Sequence, residues 1–369
     1  MSLRTTAAWC LSPITAWYGV FTDIRNLLFA LNIKRETKVS TCTVAVGNLS
    51  CGGTGKTPHA EYLLDLISQQ YTTALLSRGY KRKSKGFQLD DGTHNAMLLG
   101  DEPAMIAQHH QNVIVAVCKK RRIGIQHLLK QENKPQVVVL DDAYQHRNVK
   151  PDVNILLTDY NNLFYKDHVL PFGNLRERRC NYKRANIIII TKAPQKLDPI
   201  ELHSITDAIK PKSYQHIYFS SIVYQPLEPL TSAAKQIVKD NENKGDMLGL
   251  THILVVTGVA NPDPMISHIK RQSISVCQMK YADHYNFRMR DIENIRQRYE
   301  QINSDQKAIL ITQKDAMRLQ APEMQDAIDG LPIFVLPIKV AIHPSDYTFD
   351  DDIMRRVTES VRYHTLYQR

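Results

Sequence analysis

TCTVAVGNLSCGGTGKT, residues Thr41 to Thr57, decides how this chain is read. It opens as an apolar, β-branched run, the composition of a buried strand. It closes on Gly52, Gly53, Thr54, Gly55, Lys56 and Thr57, followed by Pro58 and a helical pattern. Strand, glycine turn and helix form the architecture of a phosphate-binding loop. Glycines let backbone N–H groups turn inward around phosphate oxygens, Lys56 reaches the β- and γ-phosphates, and the Thr57 hydroxyl faces a magnesium ion. The helix that follows directs its positive end at the same anion. Ser50 stands where the strict pattern has its first glycine. The whole turn, Ser50, Cys51, Gly52, Gly53, Thr54, Gly55, Lys56 and Thr57, is the expected nucleotide cradle.

Outward from this loop, the chain has an α/β rhythm. Ala60 to Gln69 is helical in pattern. Short apolar runs follow at 72–77, 113–117, 137–140, 153–158 and 186–191, separated by helical stretches. That alternation indicates a doubly wound parallel sheet of the P-loop NTPase type, with ligands beyond the carboxyl ends of its strands. An extended run at 218–224, then Pro226 and Pro229, marks a junction. A second, smaller α/β unit starts at Ile253 and continues through runs at 308–312 and 333–336. The expected division is an N-terminal helix over 1–35, a nucleotide-binding domain over 36–215, a linker over 216–230 and a C-terminal domain over 231–369.

The chain has 369 residues and a formal net charge of +10, from 47 Lys+Arg against 37 Asp+Glu. That balance suits an acidic partner such as a nucleotide or anionic lipid. The six cysteines are scattered, without zinc spacing or a disulfide framework, which suits a reducing cytoplasm. Between Thr5 and Thr22 there is no charged residue, and Trp9, Leu11, Ile14, Trp17, Tyr18, Val20 and Phe21 fall in that stretch. It is marginal for a span, which takes about 20 mostly apolar residues. With Arg25, Lys34 and Arg35 after it, it reads as an anchor at the membrane interface, or else as a helix packed on the protein's own core.

Two carboxylates, Asp141 and Asp142, close the run at 137–140, as the second acidic motif of phosphate-loop enzymes does, and are placed to hold magnesium. Asp101, in the sequence Gly-Asp-Glu-Pro, is a candidate to accept a proton from a substrate hydroxyl, or else a helix cap. A guanine-specific site needs Asn/Thr-Lys-x-Asp after a strand. Thr191, Lys192 and Ala193 begin that pattern and Pro194 ends it. Thr312 to Asp315 has the wrong spacing, so ATP is the expected nucleotide.

Together the motifs resemble one family, the tetraacyldisaccharide 4′-kinases of lipid A synthesis. The resemblance rests on GNLSCGGTGKTP (47–58), LLSRGYKR (75–82), GDEP (100–103), LDDAYQHR (140–147), LPFGNLRER (170–178), ADHY (282–285) and TQKDAMRL (312–319). They fall in family order and cover most of the chain. Even Ser50 resembles that family, whose loop commonly lacks the first glycine. Ala143 and Tyr144 depart from the family's usual glycine and apolar residue, and Gln313 from its usual glutamate.

The resemblance implies transfer of the γ-phosphate of ATP, with Mg2+, to the 4′-hydroxyl of a tetraacylated glucosamine disaccharide 1-phosphate, giving a lipid IVA-type product. It implies two α/β/α domains joined by a two-stranded linker, acting at the cytoplasmic face of the bacterial inner membrane through the N-terminal helix. The family's Asp–His pair maps onto Asp101 and His284. Lys56 serves the transferring phosphate, and Thr57, Asp141 and Asp142 the metal. Gln145 and His146 come close to the phosphates, and Arg78, Arg122 and Arg176 are candidates for nucleotide or substrate phosphates. A membrane-associated ATPase or metallochaperone that uses hydrolysis as a switch shares the loop and the anchor but has no need of the Asp–His pair. A nucleic-acid-binding ATPase fits the charge but not the apolar N-terminus.

Overall fold

The computed structural model describes residues 3–367 apart from positions 242, 243, 321 and 346. The chain divides into two compact units, residues 1–222 with 340–369, and residues 223–339.

The first unit is built on a nine-stranded sheet of order β14-β8-β7-β6-β1-β5-β2-β4-β3. The strands are β1 (Cys42–Asn48), β2 (Thr73–Ser77), β3 (Gln88–Leu89), β4 (Ile114–Val117), β5 (Val137–Leu140), β6 (Val153–Asp159), β7 (Ile187–Thr191) and β8 (His216–Tyr224), with β14 (Ile338–Ile342) at one edge. The seven strands from β8 to β4 pair in parallel, and β3 closes the other edge antiparallel. β1 lies in the middle, and all seven of its residues are buried. Its side chains alternate between faces. Val44 and Val46 enter a core with helices α2 (Lys56–Ile67), α4 (Asp101–His109) and α12 (Phe349–Tyr367). Ala45 faces the opposite core, with Ile125 and Leu128 of α5 (Arg121–Leu128). A strand buried on both faces reads as an unbroken apolar run, which is why these strands are visible in the sequence. The remaining helices of this unit are α1 (Leu3–Ala30), α3 (Ala96–Leu99) and α6 (Pro199–Ile209).

The second unit has a five-stranded sheet of order β11-β10-β12-β13-β9. Its strands are β9 (Glu228–Pro229), β10 (His252–Thr257), β11 (Ser275–Lys280), β12 (Lys307–Ile311) and β13 (Ile333–Val335). β11 to β13 pair in parallel and β9 is antiparallel. The helices are α7 (Ser232–Asp240), α8 (Asp263–Lys270), α9 (Met289–Glu300), α10 (Gln313–Leu319) and α11 (Gln325–Asp329). Leu254 and Val256 point to the core shared with α9, α10 and α11, while Ile253 and Val255 point to the core of α7 and α8.

Two expected boundaries move. The linker expected over 216–230 is mostly sheet, with β8 belonging to the large sheet and β9 to the small one. The C-terminal domain does not run to 369, because residues 340–369 rejoin the first unit. α12 brings Phe349, Ile353 and Val357 into the core beneath β1 and β6. No local signal in the helix reveals which sheet its apolar stripe will cover.

α12 is also held by charge. The buried Asp352 accepts from His216 Nδ1 at 2.8 Å, Arg355 at 2.7 Å, Arg356 at 2.9 Å and the Tyr218 hydroxyl at 3.3 Å. Burial pushes this carboxyl up, but Arg356 and His216 outweigh it and hold it below the usual range. Asp352→Asn is expected to destabilise the fold by about 1.5–3 kcal/mol at pH 7. A carboxyl depressed in the folded state contributes stability above its unfolded value, about 3.9, and loses it as pH falls through the folded value. The difference in Tm between variant and parent should therefore shrink below about pH 4. A difference independent of pH in thermal melts would show that the ion cluster is not its source.

Candidate active site

The first turn of α2 begins inside the glycine turn expected to cradle phosphate. Gly55 caps it in the left-handed region at φ 79°, a conformation easy only for glycine at this turn. Lys56 Nζ sits 3.4 Å from Asn48 Oδ1 at the end of β1 and 3.4 Å from Asp142 Oδ1. Asn48 in turn donates to Thr54 Oγ1 at 2.9 Å, so strand end, loop and lysine are tied together. Thr57 is buried.

The loop is braced from both sides. On one side, residues 174–176 run along it: Cys51 N donates to Asn174 O at 2.7 Å and Arg176 N to Leu49 O at 2.7 Å. On the other, Thr191 Oγ1 donates to Thr54 O at 3.0 Å, and Lys192 Nζ bonds both Gly53 O and, at 2.7 Å, Asp159 Oδ2. His59 reaches back to Gly55 O through Nδ1 at 2.7 Å and meets Ser220 Oγ through Nε2 at 2.8 Å. A carbonyl accepts only, so Nδ1 carries the proton and Nε2 receives the serine hydroxyl. Burial pushes this imidazole down to about 4, which keeps it neutral beside the loop.

The two adjacent carboxylates have different surroundings. Asp142 adopts a left-handed φ of 47° just after β5, a strained conformation for a non-glycine residue. That turn presents it to Lys56 and to Arg176 Nη1, each at 3.4 Å. Burial pushes its carboxyl up, but these cations outweigh it and hold it low. Asp141 is buried and accepts from Ser77 Oγ at 3.0 Å. Its other oxygen, Oδ1, is buried with no hydrogen-bond partner among the described residues. Burial, together with Glu102 and Asp142, pushes this carboxyl up to about 6.

Gln145 donates to Asn48 O at 2.8 Å and receives Arg176 Nη1 at 3.4 Å. His146 is pushed down to about 4 by burial and by Arg121 and Arg78. Arg78 is exposed just beyond β2. Arg122, the expected phosphate ligand, is exposed on α5, and it is Arg121 that turns inward and donates to Asp141 O at 2.7 Å. Asp101 opens α4 directly after Gly100, whose φ is 92°. A Cβ at Gly100 would come within 2.9 Å of Tyr80 O, so a glycine is needed where the segments 78–80 and 100–103 meet. His284 lies in the second unit, after β11.

Several of these residues were not anticipated: Ser77, His59, Ser220, Asp159, and the structural use of Thr191 and Lys192. Asp159 and Thr191 end β6 and β7, at the same carboxyl edge as the phosphate loop, and that placement was the available signal.

α1 joins this site through its polar side. Tyr18 donates to Arg176 O at 3.0 Å, Arg25 to Gln145 O at 2.5 Å and Asn26 to the buried Glu177 at 3.0 Å. Its apolar side faces away: Trp17 is 76% exposed, Phe21 69%, Ile24 52% and Leu27 55%. A groove of about 640 Å³ beside it is lined in part by Val20, Ile24, Leu27, Arg147, Lys183 and Arg184. No helix among the described residues is long and apolar enough to cross a membrane. The side chains of Trp9, Leu11 and Ile14 lie outside the described residues.

Among solved structures, the "apo" form of LpxK from Aquifex aeolicus, crystallised in complex with ATP, superimposes with a TM-score of 0.70 at 26% identity. The match covers 98% of this chain and 99% of that one. A tetraacyldisaccharide 4′-kinase of Bacteroides thetaiotaomicron is 38% identical over 364 residues, 97% of this chain and 96% of the relative. One of Flavobacterium psychrophilum is 40% identical over 352 residues, 95% of this chain and 97% of the relative. The family model described as tetraacyldisaccharide-1-P 4′-kinase matches residues 7–358, nearly the whole chain, and the chain belongs to that family.

Proposed function

We propose that this protein transfers the γ-phosphoryl group of ATP to the 4′-hydroxyl of a tetraacylated glucosamine disaccharide 1-phosphate, giving a lipid IVA-type product. The observation that carries this reading is the cluster at the end of β1. Lys56, Asp142, Arg176 and Gln145 interlock there, beside an Asp141 oxygen that is buried with no partner among the described residues. The orphaned oxygen of Asp141, the adjoining carboxylate of Asp142 and the hydroxyl of Thr57, which follows Lys56 in the chain, make a donor set of hard oxygens, which fits magnesium. Asp141, Asp142 and Thr57 would hold that ion, which neutralises phosphate charge when bound.

The chain's own residues do the rest. The backbone from Ser50 to Thr57 cradles the phosphates, and Lys56 and Arg176 balance their charge. The positive balance around Arg78, His146 and Arg121 suits further phosphate groups. Asp101 accepts the proton of the sugar hydroxyl as its oxygen bonds to the γ-phosphorus and the bond to the β-phosphate oxygen breaks. His284 is the second member of the Asp–His pair that the family resemblance implies. The test is incubation with γ-labelled ATP and the disaccharide 1-phosphate lipid, followed by lipid extraction. Label in the lipid is the expected result. Free labelled phosphate with none in the lipid would identify a switch-type ATPase instead.

The outward apolar face of α1 supports binding to a membrane surface, where aromatic and aliphatic side chains enter the interface and the exposed Lys183 meets anionic headgroups. The cytoplasmic face of the inner membrane is the proposed location. Changing Trp17, Phe21 and Ile24 together to serine should weaken partitioning onto anionic vesicles by about 10²-fold or more, since each buried side chain of this size is worth about 1.5–3 kcal/mol. The melting temperature should be unchanged, because the three are exposed. Undiminished vesicle binding in a sedimentation assay, or a large loss of Tm, would show that this face does other work.

A further inference from the structure

The motif TQKDAMRL (312–319) has no part in the reading above, yet its Arg318 meets His284, with Asp315 and Thr312 anchored behind it. We propose that Arg318, anchored by Asp315, is a positioning residue that fixes His284 as a hydrogen-bond donor through Nε2. The inference rests on the proposed participation of His284 in phosphoryl transfer.

The anchor is built from α10 outward. Thr312 caps the helix, its Oγ1 receiving Asp315 N at 3.2 Å and donating to Asp315 Oδ2 at 2.8 Å. Asp315 is fully buried and also receives Gly258 N, at 3.2 Å from each oxygen, and Arg318 Nη1 at 2.9 Å. An ion pair this buried gains little stability over apolar residues of similar volume, so its presence needs a reason other than stability.

Arg318 supplies one. Its Nη2 lies 3.1 Å from His284 Nδ1, and its Nη1 also donates to Gly258 O at 3.4 Å. A guanidinium has five donors and no acceptor. Nδ1 is therefore the acceptor and carries no proton, and the ring proton is on Nε2. The backbone of the same residue is fixed by His284 N donating to Gly258 O at 2.9 Å, with His284 in the left-handed region at φ 57°. Gly258, just after β10, thus ties Asp315, Arg318 and His284 into one rigid group. On the far side, Tyr285 donates to Asp291, which caps α9, and so holds the following residue. A histidine held this way presents an N–H to a carboxylate or phosphate oxygen, and the proton leaving the sugar must be taken elsewhere, by Asp101 on the proposed reading.

The test is a long-range proton–nitrogen correlation spectrum of the full-length protein with 15N-labelled histidine, with the His284 signals assigned by their loss in His284→Gln. The expected parent spectrum shows a protonated Nε2 and a bare Nδ1, and Arg318→Met should replace it with mixed tautomers. In the same variant kcat should fall about 10–100-fold, the loss typical of removing a residue that orients a working histidine, with KM for ATP little changed. Arg318→Lys, which keeps a donor, should restore the Nε2–H signature and part of kcat. In a His284→Ala background, Arg318→Met should add no further loss. A proton on Nδ1 in the parent overturns the proposal even if the variants fail to fold. Equal losses in both backgrounds overturn it too, since Arg318 then acts without His284. An unchanged kcat in His284→Ala refutes only the histidine's role in turnover, and the tautomer is still decided by the spectrum.

Discussion

Replacing Lys56 by alanine is expected to lower kcat about 10²–10³-fold, the usual effect of deleting one preorganised group that stabilises transition-state charge. Two contacts disappear with the side chain, the 3.4 Å approach to Asn48 and the 3.4 Å approach to Asp142. Asp142 keeps Arg176 at 3.4 Å and the charge of Arg121. The loop should hold its shape, because Thr54 is still bonded to Asn48 and Thr191, and Gly53 to Lys192. Circular dichroism and Tm should therefore stay close to the parent while turnover collapses. Lys56→Arg should rescue little. Lysine acts here as a compact point charge between two fixed oxygens, and the planar guanidinium does not fit that slot. Turnover within about threefold of the parent for Lys56→Ala, measured as label transfer to the lipid, would remove the phosphate loop from the mechanism.

The parts of the fold that were legible in the sequence are those whose cause is local. The run 137–140 reads as a strand because all four residues are buried on both faces, and β5 spans those residues. The glycine turn before Lys56 is likewise written in residues that few other turns demand. What was hidden depends on tertiary partners. α12 has an ordinary amphipathic pattern, and nothing in Phe349 to Tyr367 says that its stripe returns to the first sheet. Arg121 and Arg122 are neighbours of the same type, and only the direction of one helical turn separates the buried one from the exposed one. Thr191 and Lys192 begin a base-recognition motif that Pro194 cuts short. In the structure they brace the phosphate loop instead, a use that any hydroxyl and any long cation at that strand end can serve. The apolar N-terminus was plain as composition. That its polar side chains grip the protein while Trp17 and Phe21 face outward emerges only from packing.

The largest losses should come from the proposed base. Asp101→Ala and His284→Ala are each expected to lower kcat by about 10²–10⁴, the range attributed to positioned acid–base groups. The double variant should be little worse than the poorer single, because residues that act as one unit are non-additive. Asp101 opens α4 in the first unit and His284 belongs to the second, so neither is a structural neighbour of the other along the chain. Independent structural damage from the two changes would multiply, as it does for distant, unrelated sites. Nucleotide affinity separates the remaining possibilities. Lys56, Asp142 and Arg176 are untouched in both variants, so ATP should bind nearly as tightly as to the parent in calorimetric titrations. Losses in kcat that multiply would dissolve the pair into two unrelated residues. Loss of ATP binding in Asp101→Ala would move Asp101 to the side of Glu102, which already acts on Asp141 through its charge, and would make it part of the metal site rather than the proton acceptor.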